Sequence, residues 1–158
     1  MSYYDSTATG YSELHYTEQM HKLRLIRDNV RIKSGVRILD IGCGPCWSSE
    51  LFENVTGIDP CAELLKLSKN KNVRVARAEE LPFADGSFDL LLCVSAIHHF
   101  DCDAALSEMK RVGTSGARFV ITVLKKAKKC SSIIKRIKSE FVVENEIDEE
   151  KDIILVCH

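Results

Sequence analysis

Asp40, Gly42, Cys43, Gly44 and Asp59 are the residues of this 158-residue chain whose types and spacing could do chemistry. The segment 36–47, VRILDIGCGPCW, is an apolar run that ends in an acid and then breaks into two closely spaced glycines. A strand there would carry the chain to a tight turn. Gly42 and Gly44 would let the main chain approach a ligand, and a helix can start directly afterwards. Such a turn suits a nucleotide-sized ligand, although the third glycine of the dinucleotide fingerprint is missing. A second short strand, 54–58, leads to Asp59, about twenty residues after the turn, where a carboxylate can accept both hydroxyls of an adenosine ribose. The competing readings are a capping or turn acid at Asp40 and plain turn geometry at the two glycines.

Two further constellations deserve weighing. Cys43-Gly44-Pro45-Cys46, after a strand and opening a helix, resembles the thioredoxin redox motif, in which a helix N-terminus activates a thiol. A thioredoxin-like protein also carries Trp before the first cysteine, whereas this chain has Asp40-Ile-Gly42 before it and Trp47 after it. The expectation is therefore packing and turn cysteines. His98 and His99 are adjacent and point to different faces of an extended segment, and no second Cys-x-x-Cys follows, so no metal site is expected.

The elements that must position these residues alternate between helix and strand, which favours a parallel sheet covered on both faces. The spacing predicts a helix over 12–31 with Leu23, Ile26 and Val30 on one face, strand one over 36–41, and a helix over 46–53. Strand two leads to Asp59, and a helix over 63–68 carries Leu64, Leu65 and Leu67. Strands follow at 72–76 and 88–94, then a helix over 104–112 with Leu106, Met109 and Val112 inward, and a very apolar strand over 117–124. Ile133, Ile134, Ile137 and Phe141 mark an amphipathic helix. The runs 141–147 and 152–157 bracket an acidic turn and read as a closing hairpin. The inventory is a Rossmann-like, doubly wound α/β sheet of seven strands, mostly parallel with an antiparallel C-terminal hairpin. It is read as one domain over 1–158, with an N-terminal helix or lid at 1–33 and the core at 34–158.

Four segments in order, Asp40-Ile-Gly42-Cys-Gly44-Pro, Gly57-Ile-Asp59-Pro60, Ala78-Glu-Glu-Leu-Pro-Phe83 with Asp85-Gly-Ser-Phe-Asp89, and Ile97-His98-His99-Phe100, resemble the motifs of class I S-adenosylmethionine-dependent methyltransferases. The similar branch includes the ubiquinone and menaquinone methyltransferases and some tRNA wobble-base methyltransferases, and the likeness runs from Val36 to about Leu124. The resemblance implies S-adenosylmethionine as cofactor. It places the methionine end at Asp40, Gly42, Cys43 and Gly44, the ribose at Asp59, and the adenine between Pro60 and Leu64. Ala78 or Glu79 would serve the adenine amino group, because Arg77 stands where relatives carry an acid and a guanidinium accepts no hydrogen bond. Ser95 would contact the amino-acid portion through its backbone, and Tyr11, among Tyr3, Tyr4, Tyr11, His15 and Tyr16, would close over the cofactor or anchor the first helix. His98 or His99 would orient or deprotonate an acceptor, against the alternative of a histidine that packs at the strand end.

Composition narrows the class. At 45% hydrophobic and 28% charged the chain has ordinary globular composition, so a single core is expected. With 22 basic against 23 acidic residues it is not a generally basic nucleic-acid binder. The lysines at 125, 126, 128 and 129, with Lys135, Arg136 and Lys138, form either a solvated face or a phosphate-contacting patch. No apolar run reaches the ~18 residues of a membrane span and the start is polar, so no membrane is expected and a cytosolic, cytoplasmic location is. Most of the seven cysteines in such a chain should be reduced thiols. The short connection between strands five and six leaves little material to enclose an acceptor. Small-molecule and macromolecular acceptors, tRNA among them, therefore both stand, as do an activator subunit or a homodimer that completes the pocket. The reading from another class is a noncatalytic cofactor-binding subunit.

Overall fold

The computed structural model describes residues 3–158, with side chains from His15 onward. Its elements run α1 (Tyr3–Asn29), β1 (Ile38–Ile41), β2 (Val55–Asp59), α2 (Ala62–Leu65), β3 (Val73–Val75), β4 (Phe88–Cys93), α3 (Cys102–Val112), β5 (Gly113–Leu124), α4 (Cys130–Glu140), β6 (Val143–Asp148) and β7 (Asp152–Cys157). Single 3₁₀ turns stand at Trp47–Glu50 and Ile97–His99. The seven strands form one sheet in the order β3-β2-β1-β4-β5-β7-β6. The pairs from β3 to β5 are parallel, and β7 runs antiparallel to both β5 and β6.

Period-two alternation divides the strand residues between two apolar layers. Ile38, Leu90, Leu92, Val120, Ile154 and Val156 face α1, where Leu23 and Ile26, with Val30 just past its end, form the apolar stripe expected from the sequence and Met20 extends it. Leu39, Ile41, Leu91, Cys93, Phe119 and Ile121 face the other way, toward Leu106 and Met109 of α3 and Ile133 and Ile137 of α4. Each fully buried aliphatic side chain such as Ile26 or Leu91 contributes about 1.5–3 kcal/mol by leaving water. The two layers therefore hold α1 and the α3–α4 pair on opposite faces.

Two predicted helices are shorter in the structure. The helix expected over 46–53 is only the 3₁₀ turn Trp47–Glu50, because Cys46 before it and Asn54 after it both take left-handed backbone, with φ 55 and 54°. The one expected over 63–68 is the single turn Ala62–Leu65, with Leu64 and Leu65 buried but Leu67 41% exposed. Strand five starts earlier than predicted, at Gly113, where a register shift opposite Phe88–Leu90 lets it continue.

Strand order reverses between β1 and β4, since β2 and β3 lie to one side of them and β5, β7 and β6 to the other. The crevice outside the carboxyl ends of the strands at such a switch point is where open α/β sheets bind ligands. The turn after β1, the end of β2 and the segment after β4 all open there. Among the described residues no helix is long and apolar enough to cross a membrane.

Candidate functional site

The turn after β1 is held by β2. Cys43 N–H donates to the Ile58 carbonyl at 2.9 Å, and Gly44 N–H donates to Asp59 Oδ2 at 2.9 Å. Asp59 Oδ1 accepts from Cys61 N–H at 2.8 Å, so this 7%-exposed carboxylate ties two loops together at the sheet edge. Gly42 and Gly44 both have positive φ, 69 and 53°. A Cβ at Gly42 would lie 2.6 Å from the Ala96 Cβ and 3.0 Å from Phe100 Cζ. The glycine at that position therefore clears the segment after β4 as well as satisfying the turn.

Asp40 sits at the floor of the turn, 5% exposed, and accepts a short 2.5 Å hydrogen bond from Ser48 Oγ. Burial first, then the neighbouring Cys46 and Asp59, push its carboxyl well above the ordinary range, against the Ser48 hydrogen bond. None of the groups acting on it is cationic.

The cysteine pair packs into the same wall. A Cβ on Gly57 would lie 2.7 Å from Cys43 Sγ and 2.8 Å from Cys46 Sγ, so both sulfurs rest on the bare face of that glycine. Their mutual hydrogen bond brings Cys46 down to about 7 despite its burial, while burial and the same bond raise Cys43. All seven cysteines are free thiols, as expected.

The segment after β4 forms the other side. His98 and His99 lie in a 3₁₀ turn rather than the extended segment expected, and their rings lie against each other, tilted by 44° with centroids 4.1 Å apart, instead of pointing to opposite faces. The turn's tighter rotation per residue is the reason. Burial lowers His98 to about 4, leaving a neutral imidazole whose Nδ1 is buried with no hydrogen-bond partner. Asp152 and Lys22 act electrostatically on His98, and Asp59 on His99.

Beside His98 is a buried polar cluster that the sequence reading passed over. Lys22, 3% exposed on the inner face of α1, donates to Asp152 Oδ1 at 2.9 Å and to Ser95 Oγ at 2.9 Å. Ser95 Oγ and Thr122 Oγ1 each donate to Asp152 Oδ2 at 2.7 Å. Burial would raise the Asp152 carboxyl, but these three donors outweigh it and hold it below the ordinary range. Ser95 has left-handed backbone (φ 54°), and its N–H donates to Thr122 Oγ1, so of its backbone groups the N–H is already engaged. The available signal was positional: Gln19, Lys22 and Leu23 share a helix face with the apolar stripe.

Of the remaining predicted residues, Pro60 is exposed, while Leu64 is 3% exposed and Ala78 fully buried in the core. Glu79 accepts from Asp101 N–H at 3.0 Å and pairs with the solvent-facing Arg77 at 3.6 Å. The side chain of Tyr11 lies outside the described residues. Tyr16 does anchor α1: its hydroxyl donates to Glu50 at 2.8 Å and its ring stands edge-on to Trp47, 5.2 Å between centroids. Among the described residues no cluster could hold a metal ion.

Residues 39–121, which contain the turn, both acids and the segment after β4, match the family model described as a methyltransferase domain. The chain belongs to that family. Its fold is the class I, S-adenosylmethionine-dependent one. It superposes on an Aquifex aeolicus SAM-dependent methyltransferase with TM-score 0.79 at 17% identity, over 97% of each chain. A Haloferax volcanii putative methyltransferase, solved in complex with the Trm112 methyltransferase activator, gives TM-score 0.77 at 15% identity, covering 99% of this chain and 97% of that one. The human probable tRNA methyltransferase 9B is 30% identical over 128 residues, 76% of this chain. The chain spans only part of these curated relatives: 28% of the human protein, and 50% of an uncharacterized Methanocaldococcus jannaschii protein that is 36% identical over 125 residues.

The family's cofactor is S-adenosylmethionine, and the residues present fit it. The buried Asp40 at the floor of the turn and Asp59, tied to Gly44 and Cys61, put two carboxyl groups beside the crevice, a set suited to a ligand that carries positive charge and hydroxyls.

Proposed function

We propose that this chain transfers the methyl group of S-adenosylmethionine to an acceptor carried by a macromolecule, with tRNA the leading class. The observation that carries the transfer reading is the turn after β1 locked to Asp59 at the switch point of the sheet. S-adenosylmethionine supplies a methyl on a sulfonium whose charge is discharged on transfer, so the protein's task is mainly alignment. Asp59, fixed by Gly44 and Cys61, takes the ribose hydroxyls, and Pro60 and Leu64 flank the adenine, with Ala78 and Glu79 at its amino edge. Asp40, Gly42, Cys43 and Gly44 border the methionine end. His98, neutral at pH 7 with a buried unpartnered Nδ1, faces the acceptor side and accepts its proton, while His99 lies on the cofactor side.

Support for a macromolecular acceptor comes from the connection between β5 and β6, which is α4 alone and leaves few walls around an acceptor. The human relative is named for tRNA and the Haloferax neighbour was solved with an activator, so an activator subunit is proposed to complete the pocket. The lysine patch is a weaker argument than its sequence suggested. Lys125 pairs with Asp148, Arg136 with Asp103 and Lys138 with Glu146, leaving Lys126, Lys128, Lys129 and Lys135 as its exposed remainder.

Calorimetry should show one site per chain for S-adenosylmethionine, with Asp59→Ala weakening it by the ~1.5–3 kcal/mol of a hydrogen bond to a charged group. Turnover is then measured on free quinols, phenols and amines and on total RNA and protein, with and without co-purifying subunits. Transfer to RNA is the expected result. Efficient methylation of a free small molecule by the isolated chain would overturn the acceptor reading, and absence of cofactor binding would overturn the whole.

A further inference from the structure

The cavity between α1 and the turn after β1 contains a binding feature that neither the motifs nor the family match assigns. It is small, about 10 Å³, and lined by Gln19 and Leu23 of α1, Asp40, Gly42 and Cys43 of the turn, and Trp47, Ser48 and Val94. That volume admits a single group the size of a water molecule or an ammonium. Gln19 Oε1 lies against it, buried and with no hydrogen-bond donor in reach. A buried acceptor left without a donor costs about 1–3 kcal/mol, a cost that a folded protein usually carries where something else supplies the donor.

The surroundings specify that donor. Opposite Gln19 stands Asp40, whose one side-chain partner is the Ser48 hydroxyl and whose electrostatic neighbours are Cys46 and Asp59. The nearby cation Lys22 is engaged by Asp152 and Ser95. The side-chain oxygens of Gln19 and Asp40 border an ammonium-sized space and match a primary ammonium.

We propose that Gln19 is a cofactor-binding residue of α1, its Oε1 accepting a hydrogen bond from the α-ammonium of the methionine portion of S-adenosylmethionine, across the cavity from Asp40. The proposal rests on the cofactor assignment above and adds a residue outside every motif of the family match, which begins at position 39. It also gives α1 a direct function. The Lys22–Asp152 pair, one turn farther along the helix, holds α1 on the sheet so that Gln19 stands over the turn.

The test compares two ligands that differ at that end alone. S-adenosylhomocysteine carries the α-amino acid, and 5′-methylthioadenosine lacks it while keeping the adenosine and the sulfur. In Gln19→Leu, which keeps the bulk and removes the acceptor, calorimetry should show S-adenosylhomocysteine binding at least ~10-fold weaker, as expected for a hydrogen bond to a charged group. Binding of 5′-methylthioadenosine should be unchanged. Gln19→Glu, which keeps the acceptor and adds charge, should retain or strengthen S-adenosylhomocysteine binding. Thermal melting of both variants near that of the parent would exclude loss of α1 as the cause. Equal weakening toward both ligands, or no weakening toward either, overturns the role of Gln19. Failure of the unsubstituted chain to bind either ligand overturns the cofactor assignment itself.

Discussion

Replacing Asp152 by Ala should be among the most damaging single changes to this fold that leave the apolar layers intact. The carboxylate is fully buried and accepts from Lys22 at 2.9 Å and from Ser95 and Thr122 at 2.7 Å each. Without it Lys22, only 3% exposed, is left as a buried cation with one hydroxyl partner. Removing one member of a buried pair costs about 3–5 kcal/mol. The expected loss is therefore about 3–5 kcal/mol, a large share of the 5–15 kcal/mol typical of a domain. Urea unfolding at pH 7, followed by Trp47 fluorescence, suits the measurement because Trp47 packs on Tyr16 of α1 and reports docking of that helix. The double variant Lys22→Met/Asp152→Leu should recover most of the loss, since a buried pair replaced by apolar side chains of similar size is often neutral. A single-variant loss below about 1 kcal/mol, or a double variant as unstable as the single one, would refute the argument that charge burial holds α1.

Gly57→Ala should destabilise by about 1–3 kcal/mol, because the new Cβ meets the two cysteine sulfurs at 2.7 and 2.8 Å. Combining it with Cys43→Ala and Cys46→Gly should restore most of the stability, and those two substitutions alone should leave cofactor affinity near that of the parent, as read by denaturation and calorimetry. Insulin reduction by the parent would instead revive a redox role for the pair. A pH series gives a further check. The His98 pKa is depressed in the fold, to about 4, so the unfolded chain binds the extra proton between about pH 6.5 and 4. Stability should fall across that window as pH drops, and His98→Gln should flatten the slope there. Asp152, whose folded pKa is depressed, contributes stability that is present above an unfolded value near 3.9 and lost as pH falls through the folded one.

The sheet was legible because its central strands are apolar runs separated by gaps of crossover length; even the hairpin 141–147 with 152–157 followed from its acidic turn. The turn residues were legible because glycine and acid at fixed offsets have few other uses. The length of the helix after β1 was not, since the left-handed backbone at Cys46 belongs to a residue type that does not announce it. The cluster of Lys22, Ser95, Thr122 and Asp152 was invisible for a different reason. Its members come from α1, the end of β4, β5 and β7, and no local pattern marks a lysine that will be buried by a strand more than a hundred residues away. Ser95 shows the limit within a motif: nothing in its local sequence announces that Thr122 accepts from its backbone N–H.

The position of β7 has a consequence for how the chain assembles. It enters between β5 and β6, so β5, the longest strand, stays unpaired on that side until Asp152–Cys157 arrives. The same strand brings Asp152 to Lys22 across a separation of 130 residues. On a growing chain, synthesised from the N-terminus, α1 emerges first yet is charge-matched last. During that interval its inner face carries an uncompensated lysine, and β5 exposes an apolar edge of the kind that pairs with other chains. Contacts this distant in sequence make folding slow relative to local structure. The interval before β7 docks is thus when this protein is most exposed to aggregation, and the closing of the sheet and the seating of α1 over the turn are one late event.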